Sequence, residues 1–261
     1  MYDFSNNEEL RSFFNINPEL ETSQKFVLHN REEVTSFEAM LNQHVETETH
    51  LSFHSLNLAL AFDYCMELEE NGAKLFAALL DLKITIAFLF IDGIKYAPDF
   101  NALNRKDGTN ILEDEALFNK KMKMLHHNID LAIRYRAFYD KFMGVTVMLL
   151  NPSKYKDYNN ARSRKKVFPN LVKDLLDDES ISTLIKQVTY LDENYRTPEI
   201  HQTGSMRTWV LTSQDLFLDK QLNLMNYFNW VLRYADWIDA IIADNEDCNG
   251  RRKNIMDIKY L

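Results

Sequence analysis

The chain has 261 residues, 46% of them hydrophobic, so it can bury one large core, and its six glycines and five prolines are too few for a hairpin-rich fold. A net charge of −9 argues against nonspecific nucleic-acid binding by the whole surface but allows a local basic site. Cys65 and Cys248 lack metal-ligand spacing, and the first residues do not resemble a signal peptide. Together these features predict a cytoplasmic protein with reduced thiols.

Apolar residues recur at helical spacing through most of the chain, and the alternation typical of strands is nearly absent. Residues 1–30 carry aromatic side chains without a sustained period, and we expect short helices there. The pattern further predicts helices over 32–71, 73–96, 112–150, 180–194 and 206–244. It also predicts a polar loop over 97–110 and a polar, basic segment over 151–169 that loops out.

The predicted helix over 73–96 is apolar on nearly all sides, which is typical of a helix at the centre of a bundle. Its main apolar stripe consists of Leu75, Leu79, Leu82, Ile86 and Leu89. Charged residues interrupt the stretch, so we expect a buried core helix and no contact with a membrane.

Two later helices carry seams in which apolar residues step alternately by four and three positions, the spacing of packed helices. One seam is Leu131, Tyr135, Phe138, Phe142, Val145 and Leu149, and the other is Leu224, Phe228, Val231, Ala235, Ile238 and Ile242. We therefore predict an all-α fold, an antiparallel helical bundle of four or more long helices with extra N-terminal helices. Residues 1–70 are predicted to be a helical extension packed on a bundle formed by 71–261.

The stretch YRTPEIHQTGSMRTW, at 195–209, separates the last two predicted helices. Thr197 is a plausible N-cap and Pro198 a plausible first helical residue, which would place free backbone N–H groups near Arg196 and His201. An arginine, a histidine and a helix N-terminus together suit an anion, above all a phosphate. Histidine can transfer protons near neutral pH, whereas arginine can only stabilise charge. The pair is therefore compatible with metal-independent cleavage of RNA, although a paired loop arginine and a helix-capping histidine would show the same spacing.

Arg196 and His201, with four residues between them at the start of the last long helix, resemble the R-x4-6-H motif of the HEPN superfamily. Members of that family are helical bundles and often act as ribonucleases in toxin–antitoxin and other defence systems. The resemblance implies that Arg196 and His201 are catalytic, that RNA is the substrate, and that no metal or other cofactor takes part. It also implies a homodimer in which the two motifs face one another, and an antitoxin as a further partner.

The residue after the arginine is commonly polar in that family and often asparagine, and Thr197 departs from this pattern because it stands in place of the usual asparagine. The alternative is therefore a non-catalytic HEPN-like module that binds a nucleotide or a partner protein. The acidic net charge favours that alternative as well.

The segment KYKDYNNARSRKK, at 154–166, combines cations with two tyrosines. Its predicted RNA-binding residues are Lys154, Lys156, Arg162, Arg164, Lys165 and Lys166. Cations hold phosphates and aromatic rings stack on bases, which is what contact with single-stranded RNA needs. A solvated loop without a ligand would have the same composition.

Histidines elsewhere give weaker signals. Glu46, His50 and His54 would share one face of the helix predicted over 32–71, where we expect a polar surface rather than a metal site. His126 and His127 are adjacent, so their side chains point in different directions on a helix and form no site by themselves.

Charged residues on the predicted helix over 112–150 are spaced as intrahelical ion pairs. Arg136 with Asp140, and Asp130 with Arg134, both have the i, i+4 spacing. Asp140 is also a candidate for orienting Arg196 or His201, if this helix passes the motif. The standard phosphate-binding glycine loops are absent from the sequence.

Overall fold

The computed structural model describes residues 28, 30–68, 71–103, 115–197 and 218–243. Its helices are α1 (Arg31–Thr49), α2 (Leu58–Met66), α3 (Gly72–Leu103), α4 (Glu115–Leu150), α5 (Tyr155–Asn159), α6 (Arg164–Val172), α7 (Asp178–Leu191) and α8 (Leu218–Ala243). A 3-10 turn, Pro152–Lys154, precedes α5, and a π-helical turn, Asp192–Arg196, continues α7. The described residues contain no β-strand, and the all-α helical bundle is confirmed.

The long helices α3 and α4 form the centre of the bundle, and their contact is the most extensive between any two described elements. The predicted stripe of α3 is buried throughout, and the predicted seam of α4 is buried except for the half-buried Leu149. In the predicted seam of α8, Val231, Ala235, Ile238 and Ile242 are buried and Phe228 is half-buried, while the burial of Leu224 lies outside what the structure describes. The apolar spacing therefore predicted the core-facing sides of these helices correctly.

The described part of α8 packs against α2, α3 and α4. The hydroxyl groups of Tyr139 on α4 and Tyr234 on α8 both donate a hydrogen bond to Oε1 of Gln187 on α7, at 3.0 and 2.7 Å. The hydroxyl of Tyr227 on α8 donates to the backbone carbonyl of the same Gln187 at 3.0 Å. Because three buried tyrosines converge on one residue of α7, that helix and the π-helical turn after it are held firmly against the bundle.

The single helix predicted over 32–71 is wrong, because the structure has two helices there. Helix α1 ends where His50 adopts a left-handed conformation, with φ at 58°, and Leu56 has φ at 54°. Asn57 then caps α2 by accepting a hydrogen bond from the N–H of Leu60 at 2.9 Å. Glu46, His50 and His54 consequently do not share a helical face, and the described residues contain no group of three potential metal ligands.

A buried ion pair holds the turn between α1 and α2 in place. Lys83 of α3 is almost fully buried, pairs with Glu38 of α1, and donates to the carbonyl of Leu56 at 3.0 Å. Asp239 of α8 accepts the N–H of Asn57 at 2.9 Å. Long-range contacts therefore stabilise a backbone shape that the local sequence does not favour.

Two predicted loops also differ from the structure. Residues 97–103 continue α3 through Pro98, and residues 151–169 form the 3-10 turn, α5 and most of α6 rather than looping out. Tyr158 explains the second difference, because its ring is buried and its hydroxyl donates to the carbonyl of Asp140 at 2.6 Å. The basic segment is therefore anchored on α4 rather than free in solvent.

Helices α1 and α2 pack on α3, and their apolar residues join the same buried cluster as those of the later helices. The division at residue 70 stays a prediction. Within the described ranges, no helix combines the length and the apolar character that crossing a membrane requires.

Candidate functional site

Arg196 is the last residue of the π-helical turn that continues α7. The N–H of Thr197 donates to the carbonyl of Asp192, five residues earlier, and Thr197 has helical φ and ψ of −64° and −48°. An N-cap residue has extended angles instead, so the prediction that Thr197 caps a new helix is wrong. Pro198 and His201 lie outside the described residues. Single π-helical turns occur often at functional sites, which directs attention to the side chains around this one.

Asp192, at the start of the turn, binds three cations from three parts of the chain. Its Oδ1 accepts from Nε of Arg136 on α4 at 3.0 Å, and its Oδ2 accepts from Nζ of Lys165 on α6 at 3.1 Å. Nη1 of Arg196 lies 3.5 Å from Oδ1, at the long limit of a hydrogen bond. With Asp140, which pairs with Arg136, these residues form what we call the Asp192 cluster.

The Asp192 cluster carries one excess positive charge, since it holds three cations and two carboxylates. Burial would lower the pKa of the Arg136 guanidinium, but the carboxylates of Asp140 and Asp192 outweigh it and raise that pKa. Arg136 and Asp192 are 14% and 15% exposed, whereas the side chain of Arg196 is 43% exposed. Arg196 is therefore the cation of the cluster that is most accessible to an anion in solution.

Of the two ion pairs predicted on α4, one is confirmed and the other is wrong. Arg136 pairs with Asp140 as predicted, so Asp140 reaches Arg196 only through Arg136 and Asp192. Arg134 does not pair with Asp130, because its Nε binds Oδ2 of Asp92 on α3 at 3.1 Å. Asp130 instead lies 3.5 Å from Nδ1 of the exposed His126.

The structure brings part of the basic segment to the predicted catalytic arginine. Lys165 reaches the Asp192 cluster directly. The guanidinium of Arg164 lies over the ring of Tyr158, 5.7 Å from its centroid, and Nη2 donates to Asn159 at 3.3 Å. Both cations are held by protein groups, and Lys165 shares the carboxylate of Asp192 with Arg196.

The other four predicted RNA-binding cations, Lys154, Lys156, Arg162 and Lys166, are exposed. Lys154 lies 3.6 Å from Asp157, a weak surface pair. They belong to the same ordered segment as Lys165 but do not join the Asp192 cluster. The predicted RNA-binding set therefore divides into a part at the cluster and a part on the open surface.

Asp192 is the functional candidate that the sequence reading missed. A carboxylate four residues before Arg196 on a helix was a usable signal, because i, i+4 side chains lie on one face. Its contacts with Arg136 and Lys165, which are 56 and 27 residues away in the chain, carry no local signal.

No protein-family model, curated protein or solved structure matches the chain. The resemblance to HEPN proteins stays a prediction from the Arg196–His201 spacing.

Proposed function

We propose that the protein is a metal-independent endoribonuclease of HEPN type that cleaves single-stranded RNA in a defence or toxin context. The observation that carries the proposal is the position of Arg196, half exposed at the edge of a cluster with an excess positive charge. Arg136 and Lys165 are fixed behind it by Asp192. The guanidinium of Arg196 would bind the scissile phosphate. The positive charge around it comes from α4, α6 and the π-helical turn.

His201 would be the acid/base residue of this reaction. It would take the proton of a ribose 2′-hydroxyl, whose oxygen attacks the adjacent phosphorus while the bond to the 5′-oxygen breaks. The leaving 5′-oxygen takes up a proton, and the products are a 2′,3′-cyclic phosphate and a 5′-hydroxyl. Arg196 would hold the non-bridging oxygens of the phosphorane, whose negative charge develops in the transition state.

A homodimer belongs to the proposal. HEPN proteins join two motifs across their interface, so a second copy would supply the second histidine for proton transfer. We expect light scattering to give twice the 30.8 kDa mass of the chain. An antitoxin would be a protein that covers the Asp192 cluster and suppresses cleavage.

The test is cleavage of labelled single-stranded RNA in the presence of EDTA. His201→Ala and Arg196→Ala should each lower the rate by about a hundredfold or more, the usual contribution of such groups. Their melting temperatures should stay unchanged, since the contact of Arg196 within the described residues is a long one, at 3.5 Å from Asp192. Arg196→Lys should keep part of the rate because it keeps the charge but loses the fork geometry.

His126→Ala is the matched control, because His126 is an exposed histidine on α4 with one weak pair to Asp130. It should cleave like the unaltered protein. Cleavage that survives both motif changes, or that falls equally in His126→Ala, would contradict the proposal.

The second candidate, a non-catalytic module that binds a nucleotide or a partner protein, is favoured by one observation. Thr197 continues the helix rather than opening a helix N-terminus, so the described backbone presents no N–H groups to a phosphate at that point. In that case Arg196→Ala would weaken ligand binding, while no cyclic-phosphate product would form with any variant.

A further inference from the structure

A cleft of about 950 Å³ opens where the end of α2, the start of α3, the end of α4 and helix α5 meet. Its polar wall includes Glu67 and Lys74 on one side and Tyr155, Lys156 and Asn159 on the other. This volume is at the upper end of the range for sites that hold small organic ligands. The cleft contains no residue of the Asp192 cluster.

The charge of the cleft favours an anionic ligand. Lys74 and Lys156 outnumber Glu67, the one carboxylate among the lining residues. Lys74 stands in the first turn of α3, where carboxylates are favoured, and that turn has no acidic residue. Within the described part of the cleft, the partial positive charge of the helix end therefore adds to that of the lysines.

Tyr155 gives the cleft a rigid aromatic surface. Its ring stacks on that of Tyr158, with centroids 6.4 Å apart and planes at 28°. Both rings pack over Gly144 of α4, where an added Cβ would lie only 3.2 Å from Cε1 of Tyr158. The glycine makes room for the rings, and the packing fixes Tyr155 beside Lys156, so an aromatic plane and a cation occur together as in nucleotide-binding surfaces.

The cleft and the Asp192 cluster lie along the same helix. Asp140 of the cluster and Met148 of the cleft are eight residues apart on α4, a distance of about 12 Å along its axis. Tyr158 links the two, since it binds the carbonyl of Asp140 and stacks on Tyr155. An RNA strand that occupies both places would run from the cleft past Asp140, Arg136 and Asp192 to Arg196.

We propose that the cleft holds one nucleotide of the single-stranded RNA, a few positions along the strand from the phosphate at Arg196. Tyr155 stacks on the base, while Lys74 and Lys156 bind the adjacent phosphates. The inference rests on the proposed function in taking RNA as the ligand, and it adds a subsite that would select which phosphate reaches Arg196.

The experiment measures binding of a fluorescein-labelled single-stranded RNA to the full chain by anisotropy, at several salt concentrations. The double variant Lys74→Ala/Lys156→Ala should weaken binding about tenfold. Two lost phosphate contacts should reduce the slope of log K against log salt by about 1.4. Lys120→Ala is the matched control, because this exposed lysine lies near the other end of α4, about 40 Å from Met148. A 4-thiouridine RNA should crosslink to the peptide that contains Tyr155.

Normal RNA affinity and salt slope in the double variant, or an equal loss in Lys120→Ala, would overturn the inference. Crosslinking of the 4-thiouridine RNA only to peptides that lack Tyr155 would overturn it too, because the base would then lie outside the cleft. The two proposals fail separately. If the double variant binds RNA more weakly but no form of the protein cleaves RNA, the subsite is supported and the nuclease proposal is refuted. If the double variant binds RNA normally and His201→Ala abolishes cleavage, the nuclease proposal is supported and the subsite is refuted.

Discussion

Asp192→Asn tests two properties of the Asp192 cluster separately. One is the stability that the ion pairs of Asp192 give to the fold, and the other is the effect of its negative charge on phosphate binding. In the structure this carboxylate accepts from Arg136 and Lys165 and lies near Arg196. An asparagine has nearly the same shape and keeps one acceptor oxygen, but it removes the negative charge. We therefore expect the variant to be less stable and, at the same time, to bind RNA more tightly.

The loss of stability follows from burial. Arg136 and Asp192 are only 14% and 15% exposed, and breaking a buried ion pair costs about 3–5 kcal/mol. Arg136 keeps its pair with Asp140, and Lys165 can turn toward solvent, so we expect a smaller loss of about 2–3 kcal/mol.

The gain in affinity follows from Coulomb's law. A phosphate bound to the far side of Arg196 would lie about 7 Å from the Asp192 carboxylate, since the guanidinium itself lies 3.5 Å from it. The repulsion between the two charges is about 0.6–1.2 kcal/mol at an effective dielectric constant of about 40–80. Removing it should tighten binding roughly three- to eightfold.

Urea unfolding and RNA anisotropy at 0.1 M salt measure the two effects on the same samples. The midpoint should fall without a change in the m-value, because the surface exposed on unfolding stays the same. Asp174→Asn, at an exposed position in the turn after α6, should change neither quantity by more than a few tenths of a kcal/mol. Weaker RNA binding by the Asp192 variant would refute the argument that the accessible charge of the cluster binds phosphate.

Two further predictions concern the bundle itself. Burial raises the pKa of Asp239 from 3.8 to about 6, so this group destabilises the fold as the pH rises through that range, by up to about 3 kcal/mol above pH 6. Asp239→Asn should therefore be more stable than the unaltered protein at pH 7 and equal to it below pH 4, and an equal difference at both pH values would contradict this. At Gly72 an added Cβ would lie 2.0 Å from the carbonyl oxygen of Cys65, whereas at Gly93 nothing lies within 4 Å. Gly72→Ala should lower the melting temperature and Gly93→Ala should raise it, by about 0.5–1 kcal/mol of unfolding free energy in the second case, and the same sign for both would count against the packing at Gly72.

The sequence predicted the helices that form the core because apolar periodicity is a local property. The spacing of Phe142 and Val145 on α4, and of Ile238 on α8, places each on the apolar face of its helix, and in the folded chain all three are buried. Arg196 could be singled out for a similar reason, since its spacing from His201 is visible in the sequence itself.

The turn at 50–57 and the order of the basic segment could not be predicted in this way. Leu56 adopts a left-handed angle that its residue type does not favour, and the buried Lys83 binds its carbonyl from 27 residues away. Tyr158 similarly converts a polar stretch into an ordered one, because its hydroxyl finds the carbonyl of Asp140 on another helix.

Local patterns in the sequence are enough to predict the all-α class, the faces of the long helices and the choice of Arg196 as a candidate. The groups that surround that arginine depend on folding, because Arg136, Lys165 and Asp192 meet through the packing of α4, α6 and α7. Local spacing determines which face of a helix is apolar. Which charges come together depends on how those faces dock, and that is set by contacts between residues far apart in the chain.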